Sequence, residues 1–267
     1  MSRQRAAAVL VAAALGLAAC TPAPGDAAPG ATGAPSPPSG DQELAGTLTV
    51  FAAASLTDAF AGLGDRLEEQ HPGLEVRFTF AGSSGLAAQL LQGAPADVYA
   101  SADESQMARV VDAGLARDPE VFAQNVLMVA VPTDNPGNVS GLGDFAREEL
   151  DLAVCAPEVP CGSAAQQLFD VADVAAVPDT YEEDVRAVLT KVQLGEVDAG
   201  LVWFSDVVAA GPTILAFAPR EAVLAETEYP IAALTAAPNP EAARAFVELV
   251  LSKEGRAALS SAGFHDR

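Results

Sequence analysis

Cations are scarce in this chain. Its 267 residues hold 14 Lys and Arg against 36 Asp and Glu, a formal charge of −22, and only Lys191 and Lys253 are lysines. With no basic patch to release counterions, nucleic acid is excluded as a partner. The acidity points to solubility and weak adhesion to anionic surfaces, and still permits an anion held locally by backbone N–H groups. Histidine is as rare: His71 lies in a helix–strand connection and His265 at the extreme C-terminus, so no metal site and no serine–histidine pair can be read. The three cysteines show no Cys-x-x-Cys, which removes the thiol-oxidoreductase signature. No Gly-x-Ser-x-Gly elbow surrounds Ser55 or Ser83, and no Lys follows the glycine-bearing turn at Gly82 as a nucleotide loop requires. No catalysis and no cofactor are expected, although plentiful carboxylates leave carboxylate chemistry open on composition alone.

Long apolar runs are also missing, apart from one at the start. Arg3 and Arg5 precede an apolar stretch from Ala6 to Ala14, and Leu17-Ala18-Ala19-Cys20 closes it. That layout is a secretory signal, too short and wrongly flanked for a membrane span. It resembles the bacterial lipoprotein signal, in which residues 1–19 are removed and Cys20 becomes the lipidated first residue. An ordinary signal with an incidental cysteine is the alternative. Residues 20–45 then form a lipidated Cys and a Pro/Gly/Ala-rich linker, with too few apolar groups to offset the entropy of ordering it. Acylation would hold the protein at the outer, extracytoplasmic face of the bacterial cell membrane without a crossing helix. Cys155 and Cys161 remain, and in an oxidising compartment they are expected to pair. A metal site, lacking further ligands, and a redox-active pair are the alternatives.

From Gly46 onward, short β-type runs alternate with helical periodicity. Strands are predicted at Thr47–Phe51, Leu74–Phe80, Asp97–Ser101, Val126–Val131, Leu152–Val154, Gly200–Phe204 and Tyr229–Leu234. Leu56, Ala59, Phe60, Leu63 and Leu67 recur at helical spacing. Further helices are predicted from Leu86, through Met107, Val110 and Val111, after Gly162, around Val185–Val192, and from Pro240 to about Leu259. The alternation favours an α/β protein with parallel sheets covered by helices. Two such lobes, 46–127 plus 229–267 and then 128–228, joined by two crossings, imply a hinge and an interlobe cleft.

Three segments run from strand through a small-residue turn into a helix. In Phe51-Ala-Ala-Ala-Ser55-Leu-Thr-Asp58 the Ser55/Asp58 spacing is that of a capping box. In Phe80-Ala-Gly-Ser-Ser-Gly-Leu86, Gly82 and Gly85 permit close backbone approach, and Ser83 and Ser84 add hydroxyls beside free N–H groups. Cys155-Ala-Pro-Glu-Val-Pro-Cys161-Gly-Ser163 repeats the arrangement, and a disulfide there would hold the Cys161 N–H in place. Helix starts of this kind are ready anion sites, because unsatisfied N–H groups and the helix dipole both favour negative charge.

The segments FAAASLTDAF, AGSSGLAAQLLQGAPADVYASAD, APEVPCG, EEDVRAVL and AGLVWFSD, in this order, resemble the molybdate-binding proteins of ABC importers, from Gly46 to the C-terminus. The resemblance implies a two-lobed periplasmic-binding-protein fold of type II and capture of molybdate or tungstate for delivery to a membrane ABC permease. Ser55 and Ser83 match serines whose hydroxyl and N–H groups hold the oxyanion; Cys161 and Val185 match backbone donors. The Mo or W atom would be held through its oxygens only. Trp203 stands where relatives carry a tyrosine that reaches the anion. Its indole N–H could donate to a deprotonated oxygen, or the ring could simply wall the cleft.

A desolvated dianion must recover its hydration through hydrogen bonds, and neutral donors suffice when the acceptor is charged. Sulfate carries the same charge, so discrimination against it is expected from cavity size. Hydrogen phosphate carries a proton and would want an acceptor, while none of the matched positions is acidic. Asp58, Asp103 and Asp184 read as helix caps or solvated surface. Another oxyanion such as sulfate or phosphate is the alternative ligand; a secreted hydrolase or a purely structural surface lipoprotein is a more distant alternative. The protein is expected to be a monomer.

Overall fold

Fold and site are described from a computed structural model covering residues 43–266; the signal segment, Cys20 and the linker up to residue 42 lie outside the described residues. The first half of the chain runs β1 (Ala45–Ala53), α1 (Thr57–Gln70), β2 (Gly73–Ala81), α2 (Ser83–Leu91), β3 (Val98–Ala100), α3 (Glu104–Asp112) and β4 (Glu120–Asn125). It continues through β5 (Leu127–Pro132), β6 (Leu152–Cys155), α4 (Pro160–Ala172), β7 (Thr180–Glu182), α5 (Val185–Leu194), β8 (Ala199–Trp203), α6 (Phe204–Ala210) and β9 (Ile214–Phe217). Strand β10 (Thr227–Ala233) and helices α7 (Pro240–Leu251) and α8 (Lys253–Ser261) complete it. No described helix is long and apolar enough to cross a membrane.

These elements make two five-stranded sheets, β2-β1-β3-β10-β4 and β7-β6-β8-β5-β9. Each contains three parallel strands, and its remaining two pair antiparallel. The sheets are therefore mixed rather than parallel. The reason is topological: β10 returns to the first sheet, and β5 enters the second, without a crossover helix that would set them parallel. One residue, Val126, separates β4 from β5, and its carbonyl accepts the N–H of Phe204 at 2.9 Å. The chain comes back between β9 and β10.

Each sheet has its own core. In the first, Phe60 of α1 meets Phe246 of α7 edge-on at 5.3 Å and Phe122 of β4 at 5.7 Å. The predicted face of α1 is the buried one, with Ala59, Phe60, Leu63 and Leu67 all inside. In the second, Leu127, Val129 and Val131 of β5 are buried with Val188 and Val192 of α5 and Leu168 of α4. Fully buried strand ends read as continuous apolar runs, which is why β5 and β8 were legible.

Four elements were not: β4, β7, β9 and α6. Three are strands of three to six residues that carry half-exposed positions and no clear alternation. Phe204 opens α6 instead of ending β8, and α4 begins at Pro160, ahead of the start expected after Gly162. Proline at the first helical position costs nothing, because its missing N–H would have no acceptor there.

Candidate functional site

The C-terminal ends of β1, β2, β6, β7 and β8 all feed turns that face one small cavity between the sheets. Its walls include Ser55, Gly82 and Ser83 from the first half and Cys161, Asp184, Val185 and Trp203 from the second. All five residues expected to bind an oxyanion, Ser55, Ser83, Cys161, Val185 and Trp203, thus lie around the same space. Its empty volume is about 230 Å³. Drug-sized organic ligands occupy pockets of roughly 300 Å³ or more, so the space suits a small solute. A larger depression, with an empty volume of about 880 Å³, lies between α4 and Tyr181 and contains none of the five.

The donors of the second half are backbone groups at helix starts. In α4, Pro160 has no N–H, and the N–H groups of Gly162 and Ser163 both return to the carbonyl of Val159, at 3.0 and 2.9 Å. The N–H of Cys161 is left ahead of the first helical bond. The disulfide Cys155–Cys161 ties this start to the end of β6, with Cα atoms 5.6 Å apart. Gly162 is required beside it: a Cβ there would lie 1.8 Å from the carbonyl oxygen of Ala156. In α5, the Asp184 carboxylate caps the N–H of Ala187 at 3.0 Å, leaving the N–H of Val185 free of any intrahelical acceptor. Asp184 lines the cavity with its Oδ1 engaged by Ala187.

The first half adds hydroxyls. Ser83, at the start of α2, accepts the N–H of Ala102 at 3.0 Å, and its carbonyl accepts the Tyr99 hydroxyl at 2.9 Å. Because Ala102 can only donate, the Ser83 proton cannot point there and is free for the cavity. Ser55 lies in a 3-10 turn, Ala54–Leu56, leading into α1, and its Oγ is 3.1 Å from the Tyr229 hydroxyl, both residues being buried. Burial pushes both phenols, Tyr99 and Tyr229, well above the ordinary tyrosine range. The expected capping box at Ser55 is not formed. The start of α1 has no side-chain cap, since Ser55 turns to Tyr229 and Asp58 turns to Arg186. Asp103 and Asp184 do cap their helices, at Gln106 and Ala187.

Where Asp58 goes is informative. Its carboxylate pairs with Arg186 Nη2 at 2.6 Å, a bridge from the first half to the second. The Nε of Arg186 lies 2.8 Å from Oδ1 of Asp206, a fully buried residue whose Oδ2 accepts the backbone N–H of Trp203 at 3.1 Å. Burial raises the Asp206 carboxyl to about 7, against the pull of Arg186. Arg186 follows Val185 directly, yet its charge is spent on two carboxylates and it does not line the cavity. Two further contacts join the halves here. Gln106 Nε2 donates to the Glu158 carbonyl at 3.3 Å, and Gly82 packs so tightly that a Cβ would sit 2.2 Å from the Glu183 carbonyl oxygen.

Sequence reasoning did not find Tyr229, Tyr99, Ala102 or the Asp58–Arg186–Asp206 bridge. Their partners lie 16 to 174 residues away, beyond any local signal. Gly82 was marked for close backbone approach, but not its neighbour Glu183.

A family model described as bacterial extracellular solute-binding protein matches residues 48–265. The molybdate-binding protein ModA of Mycobacterium tuberculosis is 41% identical over 230 residues, covering 86% of this chain and 88% of that one. Among solved structures, the periplasmic molybdate-binding protein of Azotobacter vinelandii aligns with a TM-score of 0.72 at 19% identity, over 81% of this chain and 98% of the other. The sulfate-binding protein SubI of Mycobacterium tuberculosis aligns at 0.70 and 18% identity, over 82% and 86%. At those identities the two structures establish a shared fold and nothing about the ligand.

Proposed function

The chain belongs to the bacterial extracellular solute-binding proteins, and from that premise we propose that it captures molybdate or tungstate for import. The observation that carries this reading is the convergence of four helix starts and two serine hydroxyls on one small cavity. Ser55 and Ser83 donate hydroxyl protons; Cys161 and Val185 donate backbone N–H groups. Trp203 closes the wall and offers its indole N–H. Among the described residues no cation lines the cavity, so the dianion is neutralised by helix dipoles and charge-assisted hydrogen bonds. The metal atom of the anion touches no protein ligand.

The name carried by the 41% identical relative supports molybdate over sulfate. Cavity size provides the discrimination, since the two dianions differ in size and not in charge. Hydrogen phosphate is disfavoured because none of Ser55, Ser83, Cys161, Val185 and Trp203 is acidic. The lobes are residues 46–127 plus 229–267 and residues 128–228, closing on the anion and presenting the closed shape to an ABC permease. The chain acts as a monomer without catalysis, anchored through a lipid on Cys20 at the outer face of the membrane. Calorimetric titration of the purified full chain tests the ligand. One-to-one binding of molybdate and tungstate, with sulfate and phosphate at least about 100-fold weaker, is expected. Equal affinity for sulfate and molybdate would sink the size argument, and no heat from any of the four would remove the oxyanion reading.

A further inference from the structure

The Ser55 hydroxyl differs from that of Ser83 in what stands behind it. Ser83 is backed by a main-chain N–H, Ala102, which no side-chain substitution can remove. Ser55 is backed by a side chain, Tyr229, from the strand that returns to the first sheet. We propose that Tyr229 is a positioning residue of the anion site, acting through Ser55. It donates its phenol proton to Ser55 Oγ, so that the serine proton faces the cavity. The proposal rests on the oxyanion reading of the cavity, because a bound anion that only accepts is what draws the serine proton forward.

Three observations support it. Tyr229 does not line the cavity, so its hydroxyl reaches the anion only by way of Ser55. Its ring is clamped, edge-on to Phe264 at 5.3 Å, Trp203 at 6.1 Å and Phe122 at 6.3 Å, which leaves the hydroxyl a single placement. The register between β10 and β4 slips between Tyr229 and Pro230, which face Ala123 and Val121. Such a bulge re-aims a side chain, and proline inside a sheet is tolerated mainly there. The phenol stays protonated because burial pushes it up, so it remains available as a donor. A serine oxygen that accepts one hydrogen bond is a stronger donor in the next, which is the gain that the pair brings to the anion.

The test is a double-mutant cycle on the full chain, with molybdate affinity read by calorimetry for Tyr229→Phe, Ser55→Ala and the double variant. Phenylalanine keeps all three ring contacts, and the melting temperature of each unliganded variant checks the fold. Tyr229→Phe is expected to weaken binding about tenfold in the otherwise unaltered chain and less than about twofold where Ser55 is already alanine. An equal loss in both backgrounds overturns the proposal, since Tyr229 would then act through the fold and not through Ser55. So does an unchanged affinity for the single variant. If the unaltered chain binds no molybdate, the oxyanion reading itself fails. If it binds and Tyr229→Phe binds equally well, only the Tyr229 assignment fails.

Discussion

The two halves of the molecule face the same cavity with different chemistry. The first presents side-chain hydroxyls, Ser55 and Ser83, each backed by a hydrogen bond from behind. The second presents main-chain N–H groups, at Cys161 and Val185, whose side chains are apolar or disulfide-bonded. The difference separates what a substitution can remove from what it cannot. A hydroxyl donor is lost by changing one residue, whereas a backbone donor survives any residue but proline and depends on where its helix begins. In the proposed site, affinity is therefore distributed unevenly between what the residues are and where the halves place them.

The largest effect should come from keeping the halves apart. Gly82→Ala puts a methyl group 2.2 Å from the Glu183 carbonyl oxygen, a backbone that cannot step aside. Molybdate affinity by calorimetry should fall by more than about 100-fold, with the unliganded melting temperature little changed. Retained affinity would mean that the closed contact at Gly82 is not needed. Ser83→Ala and Ser55→Ala come next, each expected to weaken binding about 10- to 100-fold through loss of one charge-assisted hydrogen bond. Val185→Ala should change affinity less than about threefold, because its N–H remains; a loss equal to that of Ser83→Ala would break the comparison.

Two smaller effects concern how the second half holds its donors. Reducing Cys155–Cys161, which closes a short loop, should lower stability by about 2 kcal/mol, read as a shift in denaturant midpoint. Asp206 provides a pH signature. Its carboxyl is raised from 3.8 to about 7 in the fold, so between those values the folded state holds a proton that the unfolded chain has lost. The contribution of Asp206 to stability is complete below about pH 4 and is lost as pH rises toward 7. Denaturant midpoints of the unaltered chain, relative to Asp206→Asn, should fall across that window. A flat difference would show that the Asp206 carboxyl is not raised.

How much of this was legible depends on the range of each signal. Strand, small-residue turn and helix start are local patterns that marked Ser55, Ser83 and Cys161, while Val185 and Trp203 came from the family resemblance; all five stand around one cavity. The two-sheet fold followed from alternation and apolar strand ends, while short half-exposed strands such as β7 and β9 left no pattern to read. Asp58 shows the limit. From the chain alone it was a cap or solvated surface, because Arg186 is 128 residues away and nothing nearby announces it. Tyr229 was readable as part of a strand but not as the partner of Ser55, since only the bulge at Pro230 and the return crossing bring them together.

The central claim is that one anion is shared between hydroxyls of one half and backbone donors of the other. A crystal structure of the full chain grown with tungstate, located by its anomalous signal, tests that most directly. The account predicts a single tungsten in the small cavity, with its oxygens within about 3.2 Å of Ser55 Oγ, Ser83 Oγ, Cys161 N and Val185 N. Tungsten in the larger depression beside Tyr181, or contacts confined to one half, would contradict it.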